Sequence, residues 1–393
     1  MISRRRPILL LLLLAPVVAG QADDLPRLPE EDGATKTLRQ KLEAIHAEAI
    51  VGGARLEETA TYGSIDGADG AELERIHQIL MLITTPESQK IAAIRVLTSF
   101  RRTESVYPLM LTMNDPAEDF RVRAEILERI GTFADDRAVI PLSNVLKGKE
   151  DRLHPAAARG LSAFGENSRA QRYFERLVLE ADPSTRGWAA RAVGWSGWRD
   201  GAPFLVAAAE RERDPKALGR FLQGLADLKA ADGVGLAVRA LDHEVELTRA
   251  MAAEALGAYG AMAREKGLEP LLDRLERADE SVGVRGTIAT AIPRIAADSD
   301  DAARRLAQLM GSPPDEFDMS VKVGLRYMSS RWLVLHLIER MSDPKETERR
   351  RHGAWQVLRA ITEQPFPAEP GPWREWWSAH GDGFNFPHGG GSN

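Results

Sequence analysis

The chain contains no cysteine among its 393 residues. This absence excludes disulfide bonds, thiolate metal sites and cysteine nucleophiles. Aromatic residues are also scarce, at 6%, so aliphatic and small side chains must supply most of the packing. Basic residues do not predominate, since 52 Lys and Arg stand against 58 Asp and Glu, a net charge of −6. This balance argues against nucleic acid and anionic membrane surfaces as partners.

Motifs that carry catalysis or hold cofactors are missing as well. No two of the eight histidines stand three or four positions apart, which argues against a metal site built on one helix. Gly233-Val234-Gly235 lacks the third glycine of a dinucleotide-binding loop. The sequence therefore predicts a protein that is not an enzyme and that uses no cofactor or metal.

The one long apolar run lies near the N-terminus. Three arginines at positions 4 to 6 precede about a dozen apolar residues, and small residues suited to a cleavage site follow. A spanning helix needs roughly 20 apolar residues. We therefore expect residues 1–22 to be a signal peptide for export to the periplasm or the exterior, with an uncleaved membrane anchor as the alternative. Cleavage would take away three arginines and no acid, which lowers the net charge from −6 to −9 and leaves no membrane span in the mature chain.

What the sequence has in abundance is one helical pattern. Its clearest copy, LTRAMAAEALG, runs from Leu247 to Gly257, with Arg249 one turn in and a glycine eight positions later. Copies of the pattern contain Arg123, Arg186 and Arg285, and it returns roughly every 30 to 36 residues, the period of helical-hairpin solenoids. The sequence thus predicts an all-α fold, an α-solenoid.

The limits of the repeats predict the domain organisation. Three tryptophans near the C-terminus share one helix face suited to covering the last hairpin. The predicted segments are a flexible leader (23–36), an N-terminal helical cap (37–86), an array of about eight hairpins (87–342), a Trp-rich C-terminal cap (343–384) and a disordered tail (385–393).

Two kinds of residue punctuate the repeats. Aspartates that precede a proline are predicted to cap helix N-termini. These are Asp115, Asp182, Asp214 and Asp343. Four glycines are predicted to end the first helix of a hairpin in the left-handed conformation. These are Gly131, Gly165, Gly194 and Gly257.

The repeated residues resemble HEAT repeats, in particular the short phycobilisome-lyase-like form found in exported bacterial proteins. The resemblance covers residues 87–342 and is strongest in Asp182 to Gly194 and Leu247 to Gly257. It implies that the arginine of one unit bonds to an aspartate in a neighbouring turn, forming a structural ladder. The implied ladder residues are Arg123, Arg186, Arg249 and Arg285. One His-Glu pair, His243-Glu244, is too few for deoxyhypusine hydroxylase, a HEAT-type enzyme that needs several.

By the same resemblance the arginine-bearing helices line a concave surface. Two positions after the arginine slot, three adjacent units carry Trp188, Phe221 and Met251, with Arg159 and Arg191 beside them. If these side chains face the groove, they form an apolar platform for a partner helix or an extended peptide. The alternative interpretation is that the three apolar side chains pack between hairpins.

These observations favour a scaffold that binds a protein or peptide partner. We expect an exported, non-enzymatic scaffold that binds through its concave face. Two other interpretations stay open. One is a small-ligand or lyase-like module, and the other is a carbohydrate-binding envelope protein, because Trp188, Trp195 and Trp198 lie close together in the sequence.

Overall fold

A computed structural model describes residues 32–67 and 69–387. Within these residues the structure is helical and contains no strand. The predicted signal peptide, most of the predicted leader and residues 388–393 of the predicted tail lie outside the described residues. No helix in the described ranges is long and apolar enough to cross a membrane.

The described helices pair into successive hairpins, each with a first and a second helix. The first helices are α1 (Gly33–Ile45), α3 (Glu87–Phe100), α5 (Phe120–Arg129), α7 (His154–Ser162), α9 (Pro183–Ser196), α11 (Pro215–Asp227), α13 (Glu246–Tyr259), α15 (Val282–Ala296), α17 (Asp315–Arg326) and α19 (Glu348–Thr362). The second helices are α2 (Gly70–Met81), α4 (Val106–Asn114), α6 (Val139–Lys147), α8 (Ser168–Leu177), α10 (Ala202–Arg211), α12 (Asp232–Ala240), α14 (Arg264–Glu276), α16 (Asp300–Leu309), α18 (Arg331–Ser342) and α20 (Pro370–His380).

The hairpins stack into two parallel rows. Each first helix packs on the next first helix along the chain, from α1 through α19. Several successive second helices also pack on one another, although less extensively. The buried aliphatic and alanine side chains between the rows form one continuous core. The predicted all-α solenoid is confirmed, with eight hairpins from α3 to α18.

Aspartate side chains fix the starts of two central helices. Asp182 accepts a hydrogen bond from the Thr185 N–H at 2.7 Å, and Asp214 caps α11 in the same way. For Asp115 and Asp343 the prediction is wrong, since α5 begins after Asp119 and α19 after Thr347. Those two Asp-Pro pairs lie in the preceding turns.

The glycines of the repeats serve close packing and do not end helices. Gly194 lies inside α9, and a Cβ there would approach the Gly224 Cα to 2.6 Å. A Cβ on Gly131 would come within 2.4 Å of the Gly160 carbonyl oxygen. The glycine that does adopt the left-handed conformation at the end of α9 is Gly197, at φ 71°. The predicted left-handed ends at Gly131, Gly165, Gly194 and Gly257 are therefore wrong, because none of these four has a positive φ.

The two rows of helices differ in how closely their members approach one another. Glycine and alanine bring the backbones of neighbouring first helices together, whereas the second helices contact each other less. Contact along the array is therefore more extensive in the row of first helices.

Both ends of the array are built by ordinary hairpins with extra contacts. α1 begins at Gly33, inside the predicted leader, because Asp32 caps it by accepting the Thr35 N–H. α1 packs on α3 and continues the row of first helices. At the other end Trp373 is fully buried and α20 packs on α18, which confirms the Trp-rich C-terminal cap.

Candidate functional site

Three of the four predicted ladder arginines form ion pairs between neighbouring hairpins. Arg186 donates from Nε and Nη2 to both carboxylate oxygens of Glu212, at 2.7 and 2.8 Å. Arg249 binds Glu280 in the same two-pronged way, at 2.8 and 2.7 Å. Arg123 binds Glu150 at 3.0 and 2.6 Å. The acid is thus a glutamate in the turn before the next first helix, not the aspartate that the resemblance implies.

The ladder arginines have further partners in the backbone. Nη1 of Arg186 donates to the carbonyl oxygens of Glu180 and Ala181, at 2.9 and 2.8 Å. Burial raises the pKa of the Glu212 carboxyl, but Arg186 and nearby backbone N–H groups outweigh burial and hold this pKa below its usual value. These side chains have little hydrogen-bonding capacity left for a ligand.

Arg285 departs from the ladder. Its Nε donates to the Leu275 carbonyl oxygen at 2.8 Å, and its guanidinium lies 4.0 Å from the centre of the Phe317 ring. It forms no ion pair with a carboxylate of the described residues. In the first hairpin of the array the ladder cation is Lys90, which is buried and paired with Glu118. Lys90 was missed because that unit has lysine where the pattern expects arginine.

The predicted apolar platform does not form. Phe221 is 0% exposed and packs in the core, and the prediction that it faces the groove is wrong. α11 begins after Asp214 just as α9 begins after Asp182, so the residue that matches Trp188 is Arg220 and not Phe221. One position turns a side chain by about 100° around a helix, which is enough to move it from the surface to the core.

Met251 also belongs to the packing between helices. It is half-buried, and its sulfur lies 2.3 Å from where a Cβ on Gly219 would be. The thioether therefore fills the space that Gly219 leaves on α11. For Phe221 and Met251 the alternative interpretation, packing between hairpins, describes the structure.

Arg159, Trp188 and Arg191 do lie together, and two residues that were not predicted join them. The Arg159 and Arg191 guanidiniums lie 4.3 and 4.6 Å from the centre of the Trp195 ring. The Arg220 guanidinium lies 4.3 Å from the centre of the Trp188 ring. The two indole rings are 6.4 Å apart. We refer to these five residues of α7, α9 and α11 as the arginine-tryptophan strip.

The three guanidiniums of the strip differ in their ion pairing. Arg191 donates to Asp227 at 2.7 Å. Arg159 and Arg220 form no ion pair with any carboxylate in the described parts of the chain. Burial lowers the pKa of Arg220, and the charges of Asp214 and Asp151 oppose this effect. Arg220 stays cationic, since a guanidinium keeps its proton in proteins.

Trp198 is separate from the strip. Its ring stacks on Phe174 of α8, with centroids 6.3 Å apart, and it covers Gly201 so closely that a Cβ there would touch the ring at 2.6 Å. Trp198 thus packs the turn between α9 and α10. The three tryptophans of this hairpin do not form one common stacking surface.

A separate concave region lies farther along the row of first helices, between α17 and α19. It is an open groove of about 1050 Å³, and a smaller depression toward α15 adjoins it. Its apolar lining includes Met319, which is 67% exposed, together with Val323 and Trp355. The sequence did not predict this groove, because the unit's entry segment obscures the repeat pattern there. No group of three or more His, Asp or Glu side chains in the described ranges is placed to hold a metal ion.

Residues 202–282 match the family model of HEAT repeats. The resemblance to HEAT repeats is confirmed. The matched stretch runs from α10 to the start of α15 and so includes two of the stacked hairpins in full. No curated protein shows significant similarity to the chain.

Several solved structures are similar to this chain. Human deoxyhypusine hydroxylase in complex with glycerol is 18% identical, over 65% of this chain and 95% of that one, with a TM-score of 0.31. The CpcE and CpcF complex of phycocyanin lyase from Nostoc is 18% identical, over 63% and 94%, with a TM-score of 0.36. Kap121p is 11% identical, over 92% and 44%, with a TM-score of 0.47. No functional conclusion follows from likeness at this level.

Proposed function

We propose that this protein is a non-enzymatic HEAT-repeat scaffold that binds a protein or peptide partner along its concave face. The observation that carries the proposal is the arginine-tryptophan strip. Side chains from three successive first helices meet there; Arg159 is exposed, and the other four residues of the strip are half-buried. Tryptophan and arginine are the residues that most often dominate the binding energy of protein interfaces.

The solenoid makes such a surface efficient as a receptor. Each hairpin is held by its neighbours through the core and through the arginine-glutamate ladder. A partner that binds along the row therefore meets side chains already fixed in position, and little ordering of the receptor opposes binding.

Export is part of the proposal. It is supported by the three arginines at positions 4 to 6, the apolar run behind them and the absence of cysteine from the whole sequence. The mass of the protein recovered from the envelope fraction tests it. A mass without residues 1–22 is expected, and an intact N-terminus would contradict signal cleavage.

Selection from a random peptide library on the full-length chain tests the binding function. We expect enriched peptides whose affinity falls at least about tenfold in Trp188→Ala/Trp195→Ala, since truncated hot-spot residues cost this much or more. Trp332→Ala is the matched control, because Trp332 is a half-buried tryptophan of α18 in the other row. Both variants must keep the wild-type circular dichroism.

Two results would count against the scaffold. One is that no peptide is enriched on the folded chain. The other is that the enriched peptides bind the Trp188→Ala/Trp195→Ala variant as well as they bind the wild type.

A further inference from the structure

We infer that the arginine-tryptophan strip recognises an extended peptide segment of the partner that carries two carboxylates. This inference rests on the proposed scaffold function and adds the chemistry of the partner. Nothing in the match to HEAT repeats specifies it, because the strip residues of α7 and α9 lie outside residues 202–282.

Arg159 and Arg220 have N–H donors that no carboxylate of the described residues occupies. Each ladder arginine of a complete pair directs two nitrogens at one glutamate and another at a backbone oxygen, as Arg186 does. Arg159 and Arg220 have no such carboxylate within the described residues. Their guanidinium edges are therefore places where carboxylates would find unoccupied N–H donors.

The tryptophan rings hold these guanidiniums in place. Arg159 lies over Trp195 and Arg220 over Trp188, both at 4.3 Å from the ring centre. A guanidinium that stacks on a ring through its face keeps its edge N–H groups free for a planar, two-pronged bond to a carboxylate. Because stacking already restricts the side chain, less conformational entropy is lost when the carboxylate binds.

The spacing fits an extended peptide. The ring-centre distances of 4.3, 6.4 and 4.3 Å place the Arg159 and Arg220 guanidinium carbons at most about 15 Å apart. An extended chain advances about 3.3 Å per residue. Two acidic side chains four residues apart, on the same side of the strand, span about 13 Å and would reach both guanidiniums. The residue midway between them would face Trp188 and Trp195.

The surrounding charges disfavour a polyanion. Asp227 and Glu254 lie close enough to Arg191 to affect its pKa, and Asp214 and Asp151 do the same for Arg220. A nucleic acid would place continuous negative charge beside these acids, on a chain whose net charge is −6. Two isolated carboxylates joined by neutral residues avoid that repulsion.

A defined probe tests this inference. The labelled peptide Gly-Glu-Ser-Leu-Ser-Glu-Gly puts its glutamates and leucine on one side of an extended strand, and its twin has glutamine for glutamate. In low salt we expect full-length protein to bind the glutamate peptide at least about tenfold more tightly than the glutamine peptide, measured by fluorescence anisotropy.

Arg159→Ala/Arg220→Ala should remove this preference for the glutamate peptide. Arg304→Ala is the matched control, because Arg304 also lies over a tryptophan, Trp332, but in the other row. It should change the affinity less than about twofold.

Several outcomes would overturn the inference. These are equal affinity for the two peptides, no binding of the glutamate peptide to the folded wild type, an equal loss in Arg304→Ala, or unchanged preference in Arg159→Ala/Arg220→Ala. Complete displacement by millimolar inorganic phosphate would indicate a simple anion site and would also overturn it. If library-selected peptides without acidic residues still depend on Trp188 and Trp195, the scaffold function stands and only this inference fails.

Discussion

The row of first helices contains arginines that the protein uses in two opposite ways. Arg123, Arg186 and Arg249 are each bound by both oxygens of a glutamate in the next hairpin. Arg159 and Arg220 instead lie over indole rings and form no ion pair with a carboxylate of the described residues. The first set joins hairpins, and we propose that the second binds a partner. An arginine's role in a solenoid therefore depends on what occupies its N–H donors.

The largest effect should come from breaking the ladder. Arg186→Ala leaves the almost fully buried Glu212 carboxylate without its cation. Removing one partner of a buried ion pair costs about 3 kcal/mol or more of unfolding free energy. Urea unfolding followed by circular dichroism measures the loss. If Arg186→Ala were as stable as wild type, the ladder would not be a structural feature.

A smaller loss should follow from separating the helices that carry the strip. Gly194→Val forces side-chain atoms into the Gly224 backbone, where a Cβ alone would be 2.6 Å from the Cα. Such overpacking costs about 2 kcal/mol. Gly63→Ala is the control, because a Cβ there meets nothing within 4 Å. Equal stability of the two variants would contradict the close approach of α9 and α11.

A pH series should distinguish ladder carboxylates from ordinary surface acids. The pKa of Glu212 in the folded state lies below its usual value, so its contribution to stability is complete above the unfolded pKa and is lost as the pH falls through the folded one. In Arg186→Ala, burial without the cation should raise this pKa instead. We therefore expect the stability difference between wild type and Arg186→Ala to narrow as the pH falls from neutral to acidic. A constant difference in urea midpoints would argue against the pairing.

The smallest effect on stability is expected at the strip. Arg159→Ala/Arg220→Ala removes cation-π contacts but leaves no carboxylate unpaired, so unfolding free energy should change by about 1 kcal/mol or less. Urea unfolding beside Arg186→Ala checks this order. A loss as large as that of the ladder variant would show that the strip is structural.

Much of the fold could be predicted from the sequence because the same helical pattern recurs in successive repeats. The pattern around Arg186 and Arg249 gave the hairpins, their number and the ladder positions. The role of the glycines could not be predicted in the same way. Gly194 and Gly257 stand near helix ends in the sequence, and only the neighbouring backbone shows that they permit close packing.

The prediction of the candidate site residues depended on the exact alignment of helix positions between units. Taking Asp227 as the counterpart of Gly194 placed Phe221 on the surface, whereas alignment of the N-caps Asp182 and Asp214 makes Ala226 that counterpart. Counting six positions from the N-cap, as from Asp182 to Trp188, would have found Arg220 from Asp214. Trp195 lies in the last turn of α9. Its contacts with Arg159 and Arg191 depend on the packing of neighbouring helices, which the sequence pattern does not specify.

Photo-crosslinking shows which helices of the protein the bound glutamate peptide contacts. The glutamate peptide with a photoreactive group between its acidic residues is bound to the full-length protein, irradiated and mapped by mass spectrometry. Crosslinks on α7, α9 and α11 around Trp188 and Trp195 are predicted, and they should disappear in Arg159→Ala/Arg220→Ala. Crosslinks confined to the second helices, or to the groove at Met319 and Trp355, would contradict the claim that unpaired arginines in the row of first helices select the partner.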